Sequence, residues 1–226
     1  MHKRFLYLFL AIITTSLFSS RAKAQFIQDY QGNPVQSMSY VDVQGFPFLF
    51  EQWNQGIVRL NNGKSYSNVQ LKYDLVSDEV FFKDLKTDQV LKFVDQVLEF
   101  KLIPAGQAAE QALIFRNGFL SNEGISPKAY YQVLFDGGVK LLKRKIKKVV
   151  EIKPFNSASS TKIFEEIESY YISKENKTIK IRKDKKQILS ELADHSEDLE
   201  KFIKIEKLNI KLEADLIKLI AYYNSL

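Results

Sequence analysis

Between residues 56 and 181 apolar and polar positions alternate in short stretches set apart by turn residues. Val69, Leu71, Tyr73 and Leu75 interleave with Gln70, Lys72 and Asp74. That period of two marks a strand with one buried face. Further strand-like stretches cover 56–60, 80–82, 90–94, 97–102, 129–135, 139–152, 163–172 and 178–181. Asn61-Asn62-Gly63-Lys64, Ser77-Asp78, Asp136-Gly137-Gly138 and Lys174-Glu175-Asn176-Lys177 separate them as turns, because Asn, Asp and Gly tolerate positive φ. Ile103-Pro104-Ala105-Gly106 ends a run, since proline cannot donate to a ladder. Residues 108–115 fit a strand or a short helix, with loops marked by Gly118, Gly124 and Pro127. Along 139–152, Leu142, Arg144 and Ile146 fall on one face, and Leu141, Lys143, Lys145 and Lys147 on the other. Residues 156–161 are a polar loop.

After Asp184 the period changes. Asp184 is placed to cap a helix carrying Ile188, Leu189 and Leu192, and Ser196 a second with Leu199, Phe202 and Ile203. Leu212, Leu216, Leu219 and Tyr223 then recur at helical spacing, with Ile217 and Ile220 beside them. Strands first and helices last predict an α+β fold. The short spacings predict a mainly antiparallel β-sheet, rolled or barrel-like, followed by a short C-terminal helical cap. The expected divisions are 1–24 as a signal peptide, 25–55 as an irregular lead-in with an aromatic cluster, 56–183 as the sheet and 184–226 as helices packed on it.

The start of the chain reads as an address. Lys3 and Arg4 precede an apolar run over 5–18, and Ala22-Lys23-Ala24 closes it. This is the pattern of a secretory signal peptide, with cleavage expected between Ala24 and Gln25. The run falls short of the roughly 20 residues a bilayer-spanning helix needs, so no transmembrane span is expected in the mature chain. There is no cysteine, which excludes thiol chemistry, disulfides and the lipid anchor of a lipoprotein. The expected destination is periplasmic or secreted. The leader holds Lys3, Arg4, Arg21 and Lys23, so the formal charge of +6 falls to near +2 without it. That balance argues against nucleic acid as a partner.

Catalytic residue types are scarce. Beyond His2 in the leader, His195 is the only imidazole, in a charged junction between two predicted helices. A Ser-His-Asp arrangement or a zinc site has little to draw on. Asp78-Glu79, Glu165-Glu166 and Glu197-Asp198 are adjacent acid pairs, but neighbours in a strand point to opposite faces. A carboxylate hydrolase needs two acids about 5–10 Å apart across one cleft. Calcium-loop and phosphate-loop patterns are missing. No catalytic residue, metal ligand or cofactor is therefore assigned. Two surface features remain. The basic run Lys143, Arg144, Lys145, Lys147 and Lys148 could meet an anionic surface, or protect a sheet from aggregation. Phe46, Phe48, Phe50 and Trp53 could form an aromatic ligand platform, or pack as core.

Residues 71–79, 130–135, 141–144 and 216–226, taken together, resemble a family of exported proteins of Bacteroidota to which no activity is assigned. The resemblance implies a Gram-negative envelope setting and a mature chain that recurs as one unit. It transfers no functional residue. The reading is a noncatalytic binding or scaffold protein of the cell envelope, with an unknown envelope component or protein as partner. The alternatives are a carboxylate-dependent hydrolase acting on envelope glycans and, more weakly, membrane association through 143–148.

Overall fold

In a computed structural model the described residues are 32–34, 40–153, 155 and 159–226. The predicted leader with Ala24 and Gln25, and residues 156–158 of the predicted loop, lie outside them. The fold is α+β, as the periodicity predicts. Its strands are β1 (Gly32–Pro34), β2 (Val43–Gln44), β3 (Asn54–Leu60), β4 (Ser65–Asp74), β5 (Glu79–Lys83) and β6 (Val90–Phe93). There follow β7 (Val97–Ile103), β8 (Leu113–Arg116), β9 (Tyr131–Phe135), β10 (Lys140–Ile152), β11 (Thr161–Lys174) and β12 (Lys177–Ile181).

They form one sheet in the order β1-β6-β5-β4-β3-β7-β8-β9-β10-β11-β12, with β2 added to β11. All pairs are antiparallel except β2 with β11, which is parallel. The sheet is open, and β1 and β12 remain its two edges. The mainly antiparallel sheet with a C-terminal helical cap is as expected, but it does not close into a barrel. The C-terminal helices cover the sheet at Leu141, Tyr170 and Ile172.

Most turn signals act as read. Glu175 and Asn176 both take positive φ, 51° and 62°, and close a two-residue hairpin between β11 and β12. Asp136-Gly137-Gly138 is different. Neither glycine has positive φ. Gly137 is needed because an added Cβ would lie 2.5 Å from Asn224 Oδ1 and 2.8 Å from Phe135 Cε1. The ambiguous stretch 108–115 splits into a 3₁₀ turn, Ala109–Gln111, followed by β8. In the lead-in, Phe48 bridges Asp74, and β1 and β2 add two short strands.

Three cores follow from the strand faces. The first buries Val58, Val69, Leu71, Tyr73, Leu75 and Phe100 within β3–β8. A smaller one joins Ala129, Tyr131, Leu142 and Tyr171. The helices make the third: α1 (Lys185–Glu191), α2 (Ser196–Ile205) and α3 (Glu213–Tyr223) pack on Leu141, Tyr170 and Ile172. Asp184 caps α1 by accepting from Gln187 N at 2.9 Å, as predicted. Ser196 does not cap; it is the first helical residue of α2, and His195 holds the N-cap position. Leu212 is 55% exposed ahead of α3, so its apolar stripe runs through Leu216, Leu219, Ile220 and Tyr223.

Two polar clasps hold the chain end. Asn224 accepts from Val139 N at 2.8 Å and donates to Val139 O at 2.9 Å. Lys174 Nζ donates to Asp194 and to the Tyr223 hydroxyl, each at 2.8 Å, and that hydroxyl donates to Asp194 at 2.7 Å. Hydrogen bonds from Lys174 and Tyr223 hold the Asp194 carboxyl down at about 2. An unfolded aspartate titrates near 3.9, so the clasp stabilises above about pH 4 and is lost as pH falls towards 2. Asp194→Asn should therefore flatten the acid limb of the melting temperature against pH. The change is small, because these side chains are about a third to half exposed and solvent screens them.

Candidate functional site

A groove of about 420 Å³ opens between the β4–β5 turn, the β6–β7 hairpin and the segment before β9. Asp78, Lys92, Asp95, Asn117, Lys128 and Tyr130 line it. Its floor is fixed from below. Asn117 Nδ2 and the Tyr130 hydroxyl both donate to Val97 O at 2.8 Å. Under them, Phe100 stacks on Phe115 with centroids 4.8 Å apart, and Tyr73 meets Phe100 edge-on at 5.2 Å.

Asp78 is the hinge between this groove and the second half of the sheet. It sits in the turn with φ 59°, a left-handed conformation that aspartate tolerates. Its carboxylate accepts from the Tyr73 hydroxyl at 2.5 Å and from Arg144 Nη2 at 2.7 Å. Burial first, and the Asp78 charge second, push the Tyr73 phenol well above its ordinary value. Burial raises Tyr130 as well. Both phenols are neutral hydrogen-bonding groups near neutral pH.

The other acids of the groove are also engaged. Glu79 is paired with Lys92. Asp95 accepts from Asn62 Nδ2 at 2.9 Å. Asp78 and Glu79 therefore have different partners. Among the described residues, the resolved carboxyl shifts all run downward: Asp84, Asp136, Asp194, Glu200 and Glu213. None of these five carboxyls lines the groove. No three His, Cys, Asp or Glu side chains gather as a metal site among the described residues. The groove has the means to bind a polar ligand of mixed charge by hydrogen bonding.

A second hollow, about 610 Å³, lies between β8 and the β11–β12 turn. Its bases are neutralised: Arg116 pairs with Glu99 at 2.8 Å, and Arg116 and Lys140 both hold Asp136 at 3.0 Å.

The basic run lies along β10, and most of it turns inward to partners. Lys143 pairs with Glu213 and Arg144 with Asp78, each at 2.7 Å. Lys145 pairs with Glu166 at 2.8 Å. Lys147 donates to Phe46 O and Phe48 O, each at 2.9 Å. Lys148 is exposed, with Glu165 opposite it in register.

The aromatic cluster is capped in the same way. Lys147 Nζ lies 4.2 Å from the Phe46 ring centre. Lys72 Nζ lies 4.6 Å from that of Phe48 and 5.2 Å from that of Trp53. Phe50 packs on the first core. Desolvation lowers the pKa of both lysines. His195 meets the Tyr223 ring edge-on at 5.4 Å.

Asn117, Lys92 and Lys128 carried no local signal in the sequence. They come from separate segments that only the sheet order brings together. Among the described residues no helix is long and apolar enough to cross a membrane; this says nothing of strands. Compared with family models, curated proteins and solved structures, the chain matches none of them.

Proposed function

We propose that the protein is an exported, noncatalytic binding module of a bacterial cell envelope, and that the groove beside Asp78 and Tyr130 receives its ligand. One observation carries this reading: each acid turned towards the groove is tied to a structural partner, while neutral phenol and amide groups stay fixed at its floor. The signal-peptide pattern and the family resemblance supply the compartment. Membrane contact through the basic run has less support, because Lys143, Arg144, Lys145 and Lys147 already have partners within the fold.

The test is an amide-resolved titration with a soluble disaccharide-peptide fragment of envelope glycan. Its peptide supplies both charges and its sugars supply hydroxyls. Shifts should concentrate at residues 77–79, 92–97 and 117–130, and the fragment should be recovered intact. Shifts confined to another surface would overturn the site. Cleavage of the fragment would favour the carboxylate hydrolase instead.

A further inference from the structure

The two longest strands, β10 and β11, run beyond β9 and β12 as an arm joined at its end only by the two residues of β2, and its two faces differ. One face carries Lys145, Lys147 and Val149 with Phe164, Glu166 and Glu168. Residues 40–48 cover part of it: Tyr40 meets Phe164 edge-on at 5.5 Å, and Phe46 lies under Lys147. The opposite face carries Ile146 against Ile167, Lys148 against Glu165, Val150 against Ile163, and Ile152 against Thr161. Ile146, Val150, Ile163 and Ile167 are half-buried, and Ile152 is 45% exposed. None of these five belongs to any of the three cores. A narrow ribbon with one partly exposed aliphatic face is marginal in water by itself.

The charges on that face indicate what covers it. Arg144 on the same face is paired with Asp78, but among the described residues neither Lys148 nor Glu165 enters an ion pair. Both stand at a single rung, between aliphatic rungs on either side. A second ribbon related by a twofold axis running along the arm would set each rung on its own copy. Lys148 would then meet the partner's Glu165, and Glu165 the partner's Lys148, while Ile146 meets the partner's Ile167 and Val150 the partner's Ile163.

We propose that this face is the contact between two copies of the chain. Six residue steps from Ile146 to Ile152 span about 20 Å, with facing sheets about 10 Å apart. The contact is small, so the dimer should be concentration-dependent, with a dissociation constant on the order of micromolar.

Sedimentation equilibrium of the purified protein tests it with two charge reversals. Lys148→Glu alone and Glu165→Lys alone would each place like charges together, and each should weaken self-association at least tenfold. Mixed in equal amounts, the two variants should recover it, because one arm then carries two acids and the other two bases. Circular dichroism of each variant checks that the fold is retained. Ile163→Ser should weaken the dimer in every combination. The proposal is overturned if the wild-type protein remains monomeric at several hundred micromolar, if the mixture stays as monomeric as its components, or if the single variants dimerise like wild type.

Discussion

Removing residues 211–226 should leave a chain that no longer unfolds cooperatively. Leu216, Leu219 and Ile220 in α3 are fully buried, and they pack with Leu141, Ile172, Ile188, Leu192 and Leu199. Without α3 the remaining helices and the face of β10–β11 that carries Leu141, Tyr170 and Ile172 lose their shared apolar layer. Helices as short as α1 and α2 are marginal alone. The deletion also removes Glu213 from Lys143 and Asn224 from Val139, leaving a buried ammonium group and two backbone groups without these partners. A milder form of the experiment is Leu219→Ala, which should cost about 3 kcal/mol through lost burial and the cavity left behind. In a domain of this size that corresponds to a fall of about 6–12 °C in melting temperature. Scanning calorimetry reads both variants. An unchanged melt of the truncated chain would mean that α3 does not hold the sheet.

Gly56→Ala should be nearly as damaging, and for a different reason. Gly56 lies in β3, paired with Val69 on one side and Leu102 on the other. A Cβ there would sit 2.4 Å from Leu71 Cδ1 and 2.4 Å from Lys101 O. One neighbour is a fully buried core side chain and the other is backbone, so neither yields cheaply. The register of β3 against β4 also shifts at this point, where Asn68, at φ 58°, is the extra residue of a bulge. The expected cost is about 3 kcal/mol, at the upper end for overpacking. Gly63→Ala is the control. Gly63 has φ 83° in the β3–β4 turn, with nothing within 4 Å of an added Cβ. It should lose only about 1 kcal/mol, from the left-handed conformation alone. Equal losses in chemical denaturation would refute the close-packing explanation.

How much of this was legible follows from the range of each interaction. The β4 alternation, the Glu175-Asn176 turn and the Asp184 cap depend on neighbours within a few residues, so the local pattern carries them. Ser196 misled because His195 and Ser196 compete for the same boundary, and a 3₁₀ turn, Ala193–His195, runs directly into α2. The open sheet was not legible, since closure depends on whether distant edges meet. The alternating faces of β10 were legible, but the partners of its lysines were not. Glu213 lies 70 residues from Lys143, and Asp78 lies 66 from Arg144. For the same reason Asp78 was visible only as a turn residue and as half of an adjacent acid pair. Its position between Tyr73, Arg144 and the groove arises from the turn that points it inward.

That position is the centre of the proposed function, in which Asp78 supports a binding surface. Asp78→Asn keeps a residue that accepts positive φ but removes the charge facing Arg144, whose Nε is already buried without a partner. The loss should be about 1–3 kcal/mol. Melting temperature and envelope-glycan turnover, measured together on the wild type and Asp78→Asn, put the account to its most direct test. The expected result is a lower melting temperature for the variant and no turnover by either protein. Turnover by the wild type that disappears in a variant melting at the wild-type temperature would contradict it.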